Sequence, residues 1–221
     1  MGARARTTSL PGYAALKLRA RLDLFARRLW PTARELAFYA AGTRTQGDNL
    51  ARCAIGHAGG ETAFGSSLYG WNVGNIVAGS DSRDWFAATD TAPAPAPGGG
   101  TTDVTYAVRF RWYHTLRAGL TDYILAIAKP RYSEAWAAAL EGSPSFLPLA
   151  RKGGWFVGRS RLHAGETVPR VDTDAELEQA FTVSLELVGA ATPSPGPARR
   201  IVGGAVLVGL GAAMVAELVL R

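Results

Sequence analysis

The chain has 221 residues, room for one modest domain with appendages rather than two full domains. Hydrophobic residues make up 48% of it, enough for a core, so wholesale disorder is excluded. A single cysteine, Cys53, rules out an internal disulfide framework and an all-cysteine zinc cluster, and three scattered histidines leave little room for a His-rich metal site.

The formal charge of +6 sits at one end. Residues 1–36 hold Arg4, Arg6, Lys17, Arg19, Arg21, Arg27, Arg28 and Arg34 against Asp23 and Glu35, which is the whole excess. The basic character therefore belongs to an N-terminal arm, residues 1–30, and the body lacks the charge of a nucleic-acid binder. Leu18, Leu22, Phe25 and Leu29 fall on one helical face of that arm. Its basic side is either solvated, with the helix packed on the domain, or set against an anionic membrane or wall. No early apolar run resembles a signal-peptide core, so Sec export is not expected.

Residues 31–62 read as two helices. Pro31-Thr32 opens the first, which runs through Ala41, and Gly42 to Gly47 makes the turn. Asp48 is the expected N-cap of the second, which ends at Gly59-Gly60. Residues 63–112 lack a helical period, and Ile76–Ala78, Trp85–Thr89 and Val104–Trp112 are the strand candidates. Ala92–Gly100 is low in complexity and expected to be a mobile hairpin tip or lid. Helices return at Leu116–Lys129, Tyr132–Leu140, Phe146–Arg151 and Asp174–Val188. That order predicts a mainly α, α+β domain over residues 31–190, with two lobes and a small β insertion.

Residues 191–200 form a Pro-rich linker, and Ile201–Leu220 is apolar except for Glu217. Twenty helical residues reach about 30 Å, one hydrocarbon thickness, so residues 201–221 are expected to be a C-terminal transmembrane anchor. Ala205, Gly209 and Ala213 recur every four residues, a stripe along which two such helices could pair into a homo-oligomer. Arg199 and Arg200 precede the span and Arg221 follows it, a bias that places the domain on the cytoplasmic side.

Glu61 is the residue with chemistry to offer. It follows two glycines at the end of an apolar helix, where the negative dipole end and apolar neighbours would raise its pKa and keep a general acid protonated. Cys53, His57 and Glu61 share a helix face, but one group per turn over three turns is too spread to hold one ion, so no metal or cofactor is expected. His57 is expected to pack or hydrogen-bond beneath Glu61. Ser66-Ser67 has no His/Asp partner pattern, which leaves a serine hydrolase without support.

Glu61-Thr-Ala-Phe-Gly-Ser66, Trp71-Asn72-Val-Gly-Asn75-Ile76, Phe110-Arg-Trp-Tyr113, Lys129-Pro-Arg-Tyr132 and Gly154-Trp155 follow one another in order. This series, over residues 31–188, resembles the glucosaminidase family of peptidoglycan hydrolases (glycoside hydrolase family 73), which includes the flagellar rod-associated muralytic domain. The resemblance implies a lysozyme-like fold and an acid at Glu61. It also implies a second carboxylate in the β lobe, for which Asp90 is the best match, with Asp103 and Asp84 behind it. The segment from Gly154-Trp155 to Arg170 departs from the family by being longer and basic. Asn72, Asn75, Tyr113, Tyr132 and Trp155 are the expected sugar-binding residues, through hydrogen bonds and ring stacking.

The expected activity is cleavage of a β-1,4 bond in the wall glycan, the N-acetylglucosaminidase bond being favoured over the muramidase bond. Lytic transglycosylation and a non-catalytic membrane or virion protein that grips glycan strands are the alternatives. A compact muralytic domain with an anchor and no leader suits a phage-encoded lysis or virion protein, or a bacterial wall-remodelling enzyme.

Overall fold

The computed structural model describes residues 2–95, 101–156 and 170–192, with backbone alone at 90–95, 101 and 103. The elements in chain order are β1 (Gly2–Ala3), α1 (Leu18–Ala40), α2 (Arg44–Glu61), β2 (Asp84–Pro95), β3 (Thr101–Arg111), α3 (Leu116–Ile127), α4 (Ser133–Glu141), α5 (Phe146–Lys152) and α6 (Asp174–Ala191). Short 3-10 turns occupy Tyr13–Ala15 and Pro130–Tyr132. The result is a helical body with a small sheet of order β1-β2-β3 beside it, the α+β arrangement expected.

α2 is the axle of the body. Eleven of its residues, from Gly47 to Gly59, are buried, and a helix buried on nearly all sides is a core helix. Its glycines set how closely its neighbours approach. A Cβ on Gly47 would lie 3.0 Å from the Phe38 backbone of α1, and one on Gly56 would lie 3.3 Å from the Phe181 ring of α6. Thr43, not Asp48, caps α2, its hydroxyl accepting from the Gln46 N–H at 3.2 Å. Asp48 lies inside, 2.6 Å from Arg34 of α1, where it ties the two helices together.

The expected boundary at residue 30 between arm and domain does not coincide with an element end. α1 runs from Leu18 through Pro31 to Ala40 without a break. Proline inside a helix removes one backbone hydrogen bond, at a cost of about 3 kcal/mol. Burial of Phe25, Leu29 and Trp30 before it, and of Ala33, Leu36 and Ala37 after it, holds the helix together across the gap. Those residues make the arm's helix part of the core.

β2 and β3 pair in unbroken antiparallel register from Trp85↔Arg111 to Pro95↔Thr101. The Trp85 carbonyl accepts from Arg4 N–H at 2.8 Å, so odd-numbered β2 residues point their backbone groups away from β3. Pro93 and Pro95 are both odd, and β1 pairs only with Asp84 and Trp85, so neither missing N–H interrupts a ladder. The Ala-Pro alternation expected to form a lid is therefore strand as far as Pro95. Among the described residues no helix is long and apolar enough to cross a membrane, and residues 201–221, with the stripe Ala205, Gly209 and Ala213, lie outside them.

Candidate active site

Glu61 is the last residue of α2, and the chain turns sharply after it. The Thr62 hydroxyl donates back to the Ala58 carbonyl at 2.6 Å and closes the helix. Ala63, Phe64 and Gly65 then take left-handed φ values of 47°, 51° and 88°. Two consecutive non-glycine residues in that region are held there by packing. The Phe64 ring folds over Gly59, where a Cβ would lie 2.3 Å from it, and Gly65 packs beneath Leu10 and Phe25. A Cβ on Gly60 would meet nothing within 4 Å.

A second strained loop brings Asn75 to the carboxyl group. Gly70, Trp71 and Asn75 have φ of 52°, 48° and 48°. The Trp71 N–H donates to Ser9 Oγ at 2.9 Å, and the Trp71 carbonyl presses so closely on Gly119 of α3 that a Cβ there would lie 1.9 Å from it. The buried Asn72 amide donates to the Ile76 and Arg111 carbonyls at 2.9 and 3.0 Å and accepts from the Ile76 N–H at 2.8 Å. With the loop closed in this way, Asn75 Nδ2 donates to Glu61 Oε2 at 2.8 Å and to the Glu61 carbonyl at 2.9 Å.

The other carboxyl oxygen faces a histidine. His57 Nε2 lies 3.3 Å from Glu61 Oε1, too oblique for an in-line hydrogen bond, with side-chain exposures of 2% and 22%. His57 Nδ1 lies 2.8 Å from the Tyr123 hydroxyl, which has no other hydrogen-bond partner among the described residues. A buried O–H left without an acceptor costs more than a spare lone pair, so the phenol donates to Nδ1 and the ring proton sits on Nε2, facing Glu61. Phe146, Trp155 and Tyr123 surround the imidazole at centroid distances of 5.4, 5.5 and 5.7 Å. Burial, followed by the charges of Cys53 and Glu61, pushes the Tyr123 phenol well above its ordinary range, so it stays a donor.

The expected sugar-binding residues divide into two groups. Asn75 and Trp155 reach the site, Trp155 being partly buried and within 3.0 Å of a Cβ built on Gly74, beside Asn75. Tyr113 is also partly exposed; its N–H donates to the Gly70 carbonyl at 2.7 Å and its hydroxyl to Asp122. Arg111 reaches the same Asp122 oxygen at 3.1 Å. Burial first, then the Asp122 carboxylate, drives the Tyr113 phenol far above its usual value. Asn72 and Tyr132 are corrections. Both are buried, Asn72 with its amide spent on backbone and Tyr132 against Trp155 at 5.4 Å, so they build the wall rather than meet a ligand. Asp90 occupies the β2 position opposite Tyr106, and its side chain lies outside the described atoms.

Two contributors escaped the sequence reading. Tyr123 is 66 residues from His57 and announces itself by no motif. Residues 4–9, which offer only charge in the sequence, strap the site from outside. Ser9 N–H donates to the Leu68 carbonyl at 2.7 Å, and Arg6 stacks over Tyr69 at 4.5 Å.

No family model matches the sequence, and no curated protein matches it. Solved structures do. The chain is similar to a peptidoglycan hydrolase mutant from Sphingomonas sp. A1, with 18% identity and a TM-score of 0.52 over 77% of this chain and 99% of that one. A C-terminally truncated glycoside hydrolase domain of FlgJ from Salmonella typhimurium matches at 19% identity and a TM-score of 0.44, over 76% and 98%. The catalytic domain of the autolysin Auto from Listeria monocytogenes matches at 14% identity and 0.43, over 83% and 90%. The resemblance read from the motifs is thus met by a fold shared with the Sphingomonas peptidoglycan hydrolase.

Proposed function

We propose that the chain is a peptidoglycan hydrolase that cleaves a β-1,4 glycosidic bond of the wall glycan, with Glu61 as its general acid. The observation that carries this reading is the grip on Glu61. Its carboxyl group stands at the end of a buried helix, is fixed by Asn75 at 2.8 Å, is faced by the His57 Nε2–H, and belongs to a side chain that is 22% exposed. The Glu61 proton passes to the leaving glycosidic oxygen as the C–O bond breaks and oxocarbenium character develops at the anomeric carbon. Collapse of that cation then takes one of three routes. Water activated by Asp90 adds to it, the substrate N-acetyl oxygen adds first and water follows, or a muramyl 6-hydroxyl adds in a transglycosylation. In the first route Asp90 takes the proton of the water; in the other two the ionised Glu61 takes back a proton from the water or hydroxyl that adds. Trp155 offers an aromatic face for a sugar ring and Tyr113 a phenol at the neighbouring loop. The motif series favours the N-acetylglucosaminidase bond.

Residues 201–221 would tether this domain to a membrane, because their apolar run follows the domain after only a short Pro-rich linker. Access to the wall then depends on which side the domain faces. A domain held inside would act once a pore or lysis opens the way, as suits a phage lysis protein.

The test is a zymogram on purified cell walls with the wild type and Glu61→Gln. The exchange is expected to lower activity at least about 100-fold, the lower end of what general acid catalysis contributes. A variant within a few-fold of wild type would overturn the assignment, and a wild type that binds walls without cutting them would favour the glycan-gripping alternative. Mass spectrometry of the released ends names the bond and separates hydrolysis from transglycosylation.

A further inference from the structure

α1 is buried along one side only. Its outward side carries Leu24, Phe38 and Tyr39, which are 44%, 52% and 70% exposed. Lys17, at the N-cap, and Arg28 are exposed and fall on the same third of the helix circumference by their spacing, with Arg21, partly exposed and its Nε buried, between them. The two acids nearby do not cancel them. Asp23 is taken by Arg27 at 2.9 Å, and Glu35 by Arg117 at 2.9 Å. The helix thus shows solvent a basic stripe flanked by large apolar side chains, the pattern of a helix that lies in a lipid interface.

A second observation comes from where the described chain ends. Thr192 and the two residues before it line a shallow hollow of about 540 Å³ together with Arg27, Trp30 and Pro31 of α1. Beyond it come eight linker residues, 193–200, and then the apolar run 201–220. Eight residues extend to at most about 28 Å. Any bilayer that receives the apolar run therefore begins within about 28 Å of Thr192, which lies beside α1. A hydrated wall polyanion would answer the charges but would leave Leu24, Phe38 and Tyr39 in water, whereas a lipid interface accommodates both.

We infer that the outward face of α1 is a docking surface for anionic lipid, seating the domain flat on the membrane beside its tether. This stands apart from the glycosidase reading, since it needs neither Glu61 nor a glycan. The full chain carrying Leu24→Cys is labelled with an environment-sensitive fluorophore and reconstituted into vesicles. Cys53 is buried with its thiol pushed up to about 12, so the label goes to the introduced site. In phosphatidylglycerol vesicles the emission shifts to the blue and iodide quenching falls, while in pure phosphatidylcholine the probe stays aqueous. High salt reverses the shift. Adding Lys17→Gln and Arg28→Gln lowers the ratio of seated to free face about 25-fold, about fivefold for each charge removed. A probe equally exposed in both vesicle types overturns the proposal. So does a full shift on soluble polyphosphate without lipid, which would assign the face to polyanions instead.

Discussion

Glu61 shows how much of a residue's chemistry is set by what touches it. Asn75 and His57 place an N–H beside each of its two oxygens, and Tyr123 decides which imidazole nitrogen carries the proton. His57→Leu removes the Oε1 contact while keeping an apolar filler in the aromatic cage. Because small misplacements of a catalytic group are worth up to about 100-fold in rate, kcat on soluble glycan fragments is expected to fall 10- to 100-fold, with KM little changed. His57→Gln, which can still present an N–H, recovers part of that loss; equal losses in both variants would show that the imidazole acts only as packing. Cys53, one turn earlier, is inert by the same logic of surroundings. Burial alone pushes its thiol up to about 12, so at pH 8 it stays protonated and out of reach. A disulfide reagent is expected to react with it only after denaturation, and reaction with the native chain would contradict the buried placement.

At the scale of elements, the site is held by two strained loops pinned from opposite sides. α3 presses on one through Gly119, whose missing Cβ leaves room for the Trp71 carbonyl. Gly119→Ala meets backbone that cannot turn aside, so its cost belongs at or beyond the top of the about 1–3 kcal/mol range for overpacking, read as a clear drop in Tm. Gly59→Ala meets the Phe64 ring, a side chain that can swing. It is expected to cost less stability, but to lower activity because Phe64 anchors the turn after Glu61. From the outside, the N-terminal strap bonds Leu68 and Trp71 through Ser9 and reaches the sheet through β1 and the Arg4–Asp84 ion pair at 3.0 Å. Deleting residues 2–9 leaves the Trp71 N–H without its acceptor. Such a chain is expected to fold with a lower Tm and a lower kcat; wild-type values of both would show that the strap is ornament.

For the whole molecule, the packed body extends to the last residue described. The Thr192 hydroxyl donates to the Val188 carbonyl at 2.9 Å and is buried, so that residue belongs to the fold. A chain ending at Thr192 is expected to keep its Tm and wall-degrading activity. It should associate with anionic membranes in a salt-extractable way, through α1 alone, whereas the full chain should need detergent. Full-chain protein released by salt alone would refute the tether. Protease added outside intact spheroplasts reads the orientation, and protection of the domain is the expected result.

Local chemistry in the sequence was enough to locate most elements. Helices expected from Leu116 and Asp174 begin there, with Thr115 and Thr173 as their caps, and the residues from Val104 to Trp112 alternate in the way a sheet requires. The helix end near Glu61 was legible to within two residues: Gly59-Gly60 was the expected stop, and the helix runs through both glycines to end at Glu61, where the Thr62 hydroxyl and the left-handed turn close it. Three readings failed where a distant partner outweighed the local preference. Asp48 looks like a cap until Arg34 draws it inside, and Pro31 looks like a helix start until a continuous buried face carries α1 through it. Asn72 and Tyr132 look like ligands for a sugar until the fold spends one on backbone and buries the other. The tautomer of His57, and with it the donor that faces Glu61, depends on a tyrosine brought from α3. Capping and periodicity act over a few residues and can be read along the chain; burial and pairing are set by residues that meet only when it folds.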